Sequence, residues 1–534
     1  MKIRLLSSLA LLMAALVLMV ACGSPTPAPS AEIRAVLPTD PLTLSPVGKN
    51  DRNSELIGMQ ITDSLVQYDH ELRIVPRLAT SWELSSDGRT VTFHLRDGVR
   101  WHDGEPFSSE DVLLTISKAR EPATEARSYM SQFERLVALT APDRLTVVAE
   151  YEKPNPDFLE SWTIPILPAH LIAPEEDLLT SEFAAHPIGC GPFRFVSYSP
   201  GQSVVLEAND DYWDGRPGLD RIEFRIIPDE RTSYQALLTG EVDLLSVSPP
   251  IWRESRTSES AAHLDRFTFS RLNVWYLAWN QDPAGPFTDP ETRKAMMLAL
   301  DRNTFIDTVL YGLARPGTTT YHPDTHWADP SLSPRPYDPD RAAALLAEAG
   351  WADSNGDGIL DRNGRPFRFT LLYPRGSQEI APRMAAWMQQ SWSDLGIVME
   401  IESLEWRAFL ERRNAGNFHA VMATLSFSSP SPDQFELYHS TARGGVGFNF
   451  FGLNDPEVDR LLEQGREQFD PEKRLATYHR LQQRLYELEP LGCVFHFASP
   501  VLHKPDLTGL EPSPLDLWRH WPGPRSWRRA GDGD

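Results

Sequence analysis

Residues 79–112 read ATSWELSSDGRTVTFHLRDGVRWHDGEPFSSEDV. Trp82 and Leu84 alternate with polar neighbours, Asp87-Gly88 supplies a turn, and Val91, Phe93 and Leu95 then alternate with Thr92, His94 and Arg96. Burial with a period of two puts the apolar set on a core face and the polar set toward water, so the stretch predicts a β-hairpin. Asp97-Gly98 and Asp103-Gly104 mark two further turns. Ser108, followed by Glu110-Asp111 and the apolar run Val112 to Ile116, predicts an N-capped helix.

Outward from this segment the texture changes. Toward the N-terminus, Ile33 to Leu37 predicts a strand. From about residue 289 the pattern becomes helical, and four helix starts use one device: Asp289-Pro290, Asp338-Pro339, Asp455-Pro456 and Asp470-Pro471. Aspartate accepts hydrogen bonds from first-turn amides, and proline at the first helical position forfeits no intrahelical bond. The Asp338 helix runs through Ala342, Leu345, Leu346 and Ala349 and stops at Gly350, a left-handed C-terminal cap. Strand-like runs, Phe367 to Tyr373 and Ile397 to Ile401, lie between the helices. This alternation predicts mixed α/β domains. At 534 residues the chain exceeds a single hydrophobic core, so at least two domains are expected.

The N-terminus predicts export. Lys2 and Arg4 precede a run from Leu5 to Ala21 that is apolar except for Ser7 and Ser8, the pattern of a signal peptide. Met19-Val20-Ala21-Cys22 resembles the lipobox of bacterial lipoproteins, in which the cysteine receives a diacylglycerol and becomes the new N-terminus. The expected organisation is therefore a lipoprotein signal peptide over 1–21 and a Pro-rich tether over 22–31. Cys190 and Cys493 remain. They either pair in an oxidising compartment or sit as two buried thiols, the preferred reading.

Composition and motifs exclude several classes. A formal net charge of −23 repels phosphate backbones, so no nucleic-acid partner is expected. The 14 histidines show no HExxH spacing and no Cys-His cluster, and there is no GxSxG elbow, Walker A loop or GxGxxG after a strand. No cofactor, metal or catalytic residue is assigned. The segment from Asp353 to Asp361 mimics the start of an EF-hand loop, but Gly364 stands where a bidentate glutamate belongs, so calcium is left as the lesser reading. A glycosidase-type carboxylate pair has no motif and stays open as a background reading.

The 79–112 segment resembles the signature of the family 5 extracellular solute-binding proteins, the peptide, nickel and oligopeptide binders of ABC importers. Further blocks follow in order: GCGPFRF (189–195), with Cys190 in place of the usual threonine, NDDYWDGRPGLDRIEF (209–224), LLTGEVDLL (237–245), TRKAMMLALDR (292–302), YDPDRAAALLAEAGW (337–351) and GLNDPEVDRLLEQGR (452–466). The resemblance implies an α/β, two-lobed periplasmic-binding-protein-like clamp of class II type, with mixed sheets, flanking helices and two hinge crossovers. Lobe I would be 32–275 plus 496–534 and lobe II 276–495, with crossovers near Val274 to Asn280 and Val494 to Ala498. It further implies a monomer outside the cytoplasm, lipid-anchored to the membrane through Cys22, that captures an oligopeptide-like solute and delivers it to ABC permease subunits. A non-enzymatic role is expected; a secreted hydrolase is the alternative from another class, and a receptor-docking sensor shares the fold.

In the peptide binders of that family, an aspartate in a segment like Asp-Tyr-Pro-Asp-Pro pairs with the ligand's free amine. The matching stretch here is Ser428-Ser429-Pro430-Ser431-Pro432, which puts Ser428 at that aspartate's place. Serine cannot neutralise an ammonium ion. Two readings stay open: a peptide whose amine is compensated elsewhere, or a neutral solute such as an oligosaccharide. Asp433 is one compensating charge to consider, although capping a helix near Gln434 is preferred for it. The expected ligand-binding set is Trp406 as an aromatic wall, Trp275 and Tyr276 beside the hinge, Ser426, Phe427 and Ser428 on the cleft segment, and Asn449 in a loop able to close over a ligand.

Overall fold

A computed structural model describes residues 31–48, 51–375, 380–443 and 447–530. The signal peptide, Cys22 and the tether up to residue 30 lie outside the described residues. The hairpin is present: Ala79–Leu84 pairs antiparallel with Thr90–Leu95, placing Trp82 opposite Phe93 and Leu84 opposite Val91. Gly88 closes the turn at φ 69°, a left-handed conformation that a side chain would strain. The second strand alternates as expected, with Val91, Phe93 and Leu95 buried. The first departs, since Trp82 is only partly buried and Leu84 is 38% exposed. It is the outer strand of a four-stranded sheet completed by Thr146–Tyr151 and Leu136–Asp143, and its register shifts between Ala79 and Ser81. An edge strand has a neighbour on one side only, so less covers its inward face. Helix Ser109–Arg120 follows, capped by Ser108, whose own backbone N–H donates back to the Asp111 carboxylate, and it buries Val112 and Ile116 in the same core as Phe93.

The second sheet has twelve strands, and one of them organises the molecule. Leu491–His503 is 13 residues long, about 40 Å at the usual rise per residue. Its early residues pair with Asn273–Trp279, Phe495 lying opposite Trp275 and Gly492 opposite Leu277, while its later residues pair with Asp265–Ser270 and Leu244–Ser246. On one side the sheet continues through Ala420–Ser426, Arg368–Pro374 and Val398–Leu404. On the other it continues through Glu32–Leu37, Arg221–Ile226, Ser203–Ala208 and Phe193–Ser199.

Separate cores cover these two flanks. Leu277, Trp279, Phe287, Met384 and Trp392 fill one face of the first flank, and Tyr276, Phe418, Tyr478 and Leu481 fill its other face. Ile33, Ile222, Phe224 and the C-terminal Trp527 share a core in the second flank. The chain is thus a mixed α/β, two-lobed structure. Asp289, Asp338, Asp455 and Asp470 all cap helices, each accepting from a first-turn amide at 2.7–3.1 Å. Gly350 ends the Asp338 helix region at φ 85°. Cys190 and Cys493 are buried free thiols.

Candidate functional site

Two cavities lie where the halves meet, one beside the other along helix Arg52–Ile61. The first, of about 590 Å³, is walled by Glu55, Met59, Tyr68, Gln132 and Glu160 from the hairpin-bearing half, and by Ser428 and Ser429 from the other. The second, of about 640 Å³, is lined by Arg52, Arg271, Arg383, Trp275 and Ser426 among others. Helix Arg52–Ile61 reaches both because its residues advance ~1.5 Å each, so Arg52 and Met59 stand ~10 Å apart along the axis. These volumes are in the range of small-solute sites.

The halves also touch directly. Arg474, in the first turn of helix Pro471–Leu488, forms an ion pair with Asp157 on the opposite half. Ser429 Oγ donates to Glu160 Oε2 at 3.1 Å. The Gly88 turn meets the Phe469 ring so closely that a Cβ there would lie 2.7 Å from it.

Electrostatics differ along the cleft. Glu55 is neutralised by Arg519 at 2.7 Å. Glu160 accepts from the Ser429 hydroxyl and forms no ion pair among the described residues, and burial, then the charge of Asp157, pushes it up to about 8. Burial also raises Asp157, against the opposing pull of Arg474. The second cavity instead gathers guanidinium groups: Arg52 pairs with Asp516, and Arg271 approaches the same carboxylate at 3.7 Å.

The expected site residues are divided by this geometry. Trp275 and Ser426 line the second cavity and Ser428 the first. Phe427 packs between them against Tyr68, Leu272 and Leu515. Tyr276 does not share the position of Trp275: successive side chains of a strand point to opposite faces, and Tyr276 is buried in the Phe418–Tyr478 core. Asn449 is also withdrawn from the cleft. It is 1% exposed, and its side-chain amide donates to Tyr438, His439 and Leu453 carbonyls while accepting from Leu453 N at 2.9 Å. Trp406 is 54% exposed, stacks on Phe409 and borders neither cavity. Asp433 accepts from Phe435 N at the start of Phe435–Tyr438 and is paired with Arg466 at 2.7 Å, so its charge is already matched. In the loop from Asp353 to Asp361, Asp353 accepts turn amides from Gly356, Asp357 and Gly358, and Asp361 holds Ser354.

Sequence reading missed Tyr68, Glu160, Arg271 and Arg383. Only Glu160 carried a signal: it is the lone charge in the run from Phe158 to Leu167, which is apolar but for Ser161 and Thr163.

Residues 73–445 match the family model for bacterial extracellular solute-binding proteins, family 5. The chain belongs to that family. Oligopeptide-binding protein AppA of Bacillus subtilis (strain 168) is 29% identical over 476 residues, covering 86% of each chain. The nickel-binding periplasmic protein of Escherichia coli (strain K12) is 27% identical over 503 residues, covering 90% of this chain and 94% of that one. The structure of AppA from Bacillus subtilis in complex with a nonapeptide superposes with a TM-score of 0.76 at 26% identity, over 94% of this chain and all of that one. For this family 5 chain, membership implies a place outside the cytoplasm, and among the described residues no helix is long and apolar enough to cross a membrane.

Proposed function

We propose that the chain is the substrate-binding lipoprotein of an ABC importer, anchored by lipid on Cys22, which captures an oligopeptide-like solute between its lobes and hands it to the permease unaltered. Lobe I comprises 32–275 with 496–534 and lobe II comprises 276–495. Asn273–Trp279 and Leu491–His503 are the crossovers on which the lobes turn. The observation that carries this reading is the pair of adjoining cavities whose walls come from both halves. A ligand that touches both walls is held fully only when they are together, so its binding energy favours closure. A micromolar ligand supplies ~8 kcal/mol, enough to shift an equilibrium of a few. Relatives named for oligopeptide and nickel binding support the transport role.

Ser428 in the wall of the first cavity favours a second reading, a neutral solute such as an oligosaccharide. Native mass spectrometry of protein purified from its own envelope decides between them. A co-purifying pool of peptide masses is expected; a single sugar mass selects the second reading. Chemical conversion of the bound species on incubation would instead make the protein a hydrolase.

A further inference from the structure

The first cavity contains polar atoms that the protein itself does not satisfy. Tyr68 is 6% exposed and its hydroxyl has no well-formed hydrogen bond, although Glu160 and Ser429 are near enough to affect its ionisation. Gln132 Oε1 is likewise buried without a partner, and so is Arg519 Nε, a donor that needs an acceptor elsewhere on the occupant. All three residues line the same cavity as Glu160. Orphaned polar groups gathered on one cavity wall cost stability unless something occupies the space and bonds to them.

The acceptors define the occupant. Glu160 offers a carboxylate that forms no ion pair among the described residues, Gln132 offers a carbonyl oxygen, and Tyr68 offers a phenolic oxygen. An ammonium group has three donors and no acceptor, which complements such a set. Of the other nearby carboxylates, Glu55 is paired with Arg519, Asp157 with Arg474 and Asp433 with Arg466, and Glu125, on the wall of the same cavity, is not free either. We propose that Glu160 is the seat of the ligand's positive charge, so that a solute with a primary ammonium, such as the free amino end of a peptide, places it against the Glu160 carboxylate with Tyr68 Oη and Gln132 Oε1 as further acceptors. The anchor is then on the wall opposite Ser428, and Ser429 reaches across to orient the carboxylate. This inference rests on the reading of the cleft as a solute site and specifies which solutes enter it.

The test uses a randomised pentapeptide pool prepared in two halves, one with free amino ends and one N-acetylated, competed for the full-length protein and read by native mass spectrometry. The wild type should enrich the free-amine half by about 10- to 100-fold, the worth of one hydrogen bond to a charged group. Glu160→Gln should lose that preference, and adding Ser428→Asp to it should restore part of the preference by returning a carboxylate to the opposite wall. The double variant also guards against a folding defect in the single one. Equal retention of the two halves by the wild type, or a free-amine preference that survives Glu160→Gln, overturns the assignment to Glu160 and leaves the transport reading standing. Failure of the wild type to retain either half overturns the peptide reading and the assignment with it.

Discussion

In the unfolded chain Glu160 titrates near 4.5, whereas in the folded protein burial and Asp157 raise it to about 8. Folding therefore favours the protonated carboxyl, and stability is progressively lost as pH rises from the first value through the second. Replacing it by glutamine removes that loss. Glu160→Gln should leave the melting temperature unchanged below pH 4.5 and raise it at pH 8, as scanning calorimetry across this range would read; a lower melting temperature at pH 8 would mean that the carboxylate holds the fold together. Binding runs with the opposite sign. A cation at Glu160 favours the ionised form, so ligand capture releases a proton, and affinity for the free-amine pentapeptides should climb toward pH 8, by at most tenfold per unit. Above that, the peptide amine, with its usual value of about 7.7–8.0, loses its own charge and affinity falls. The groups that modulate this titration are Asp157 and Tyr68 on the same half and Ser429 and Arg474 from the other, with Asp433 and Arg466 acting on Asp157. Titration calorimetry at several pH values measures the climb, and Glu160→Gln should flatten it. Gained stability with lost selectivity is the pattern of a residue kept for its ligand.

Helix Pro471–Leu488 contributes to the cleft through its first turn, where Arg474 meets Asp157. The Asp157 charge holds the guanidinium above its usual value despite burial. Arg474→Met strands a largely desolvated carboxylate, a loss of ~3–5 kcal/mol for a fully buried pair and less for Asp157, which is 21% exposed. The unliganded variant should therefore open, seen as a larger radius of gyration in small-angle scattering; an unchanged radius would show that the pair does not hold the lobes together. That helix was legible in sequence, as were the other three Asp-Pro starts, because capping and proline geometry are local properties of adjacent residues. The alternation of Val91, Phe93 and Leu95 was legible for the same reason. Leu84 was not, since its exposure depends on which strand ends the sheet. Trp275 and Tyr276 both flank the hinge in sequence, yet strand geometry sends them to opposite faces. Asn449 has the donor and acceptor chemistry of a ligand-binding residue, but its own surroundings take up all of it. The Asp157–Arg474 contact spans residues far apart in the chain, and no local pattern announces it.

At the scale of the whole molecule, the strand Leu491–His503 and its partner Asn273–Trp279 tie the two flanks of the sheet together, and on the proposed reading they would couple capture to delivery. Regular backbone pairing resists stretching but permits twisting, so the lobes are expected to rotate rather than separate. Each cavity draws walls from both lobes, so on the proposed reading a ligand's contacts are complete only when the lobes are together. Saturation with the free-amine pentapeptide pool should therefore shrink the scattering radius of the wild type and raise its melting temperature. At a hundredfold excess over Kd the linkage amounts to ~2.7 kcal/mol. The two readouts need not move together in a variant. Arg474→Met weakens the contact between lobes while leaving the Glu160 wall intact, so it should still contract on saturation from its more open starting point. Glu160→Gln keeps the lobe contact and loses the anchor, so it should begin as compact as the wild type and contract little when the pool is added. If both variants contracted to the same degree as the wild type at equal ligand concentration, closure would be independent of what occupies the cleft, and coupling between cargo and lobe movement would be lost as an account of how this protein signals that it is loaded.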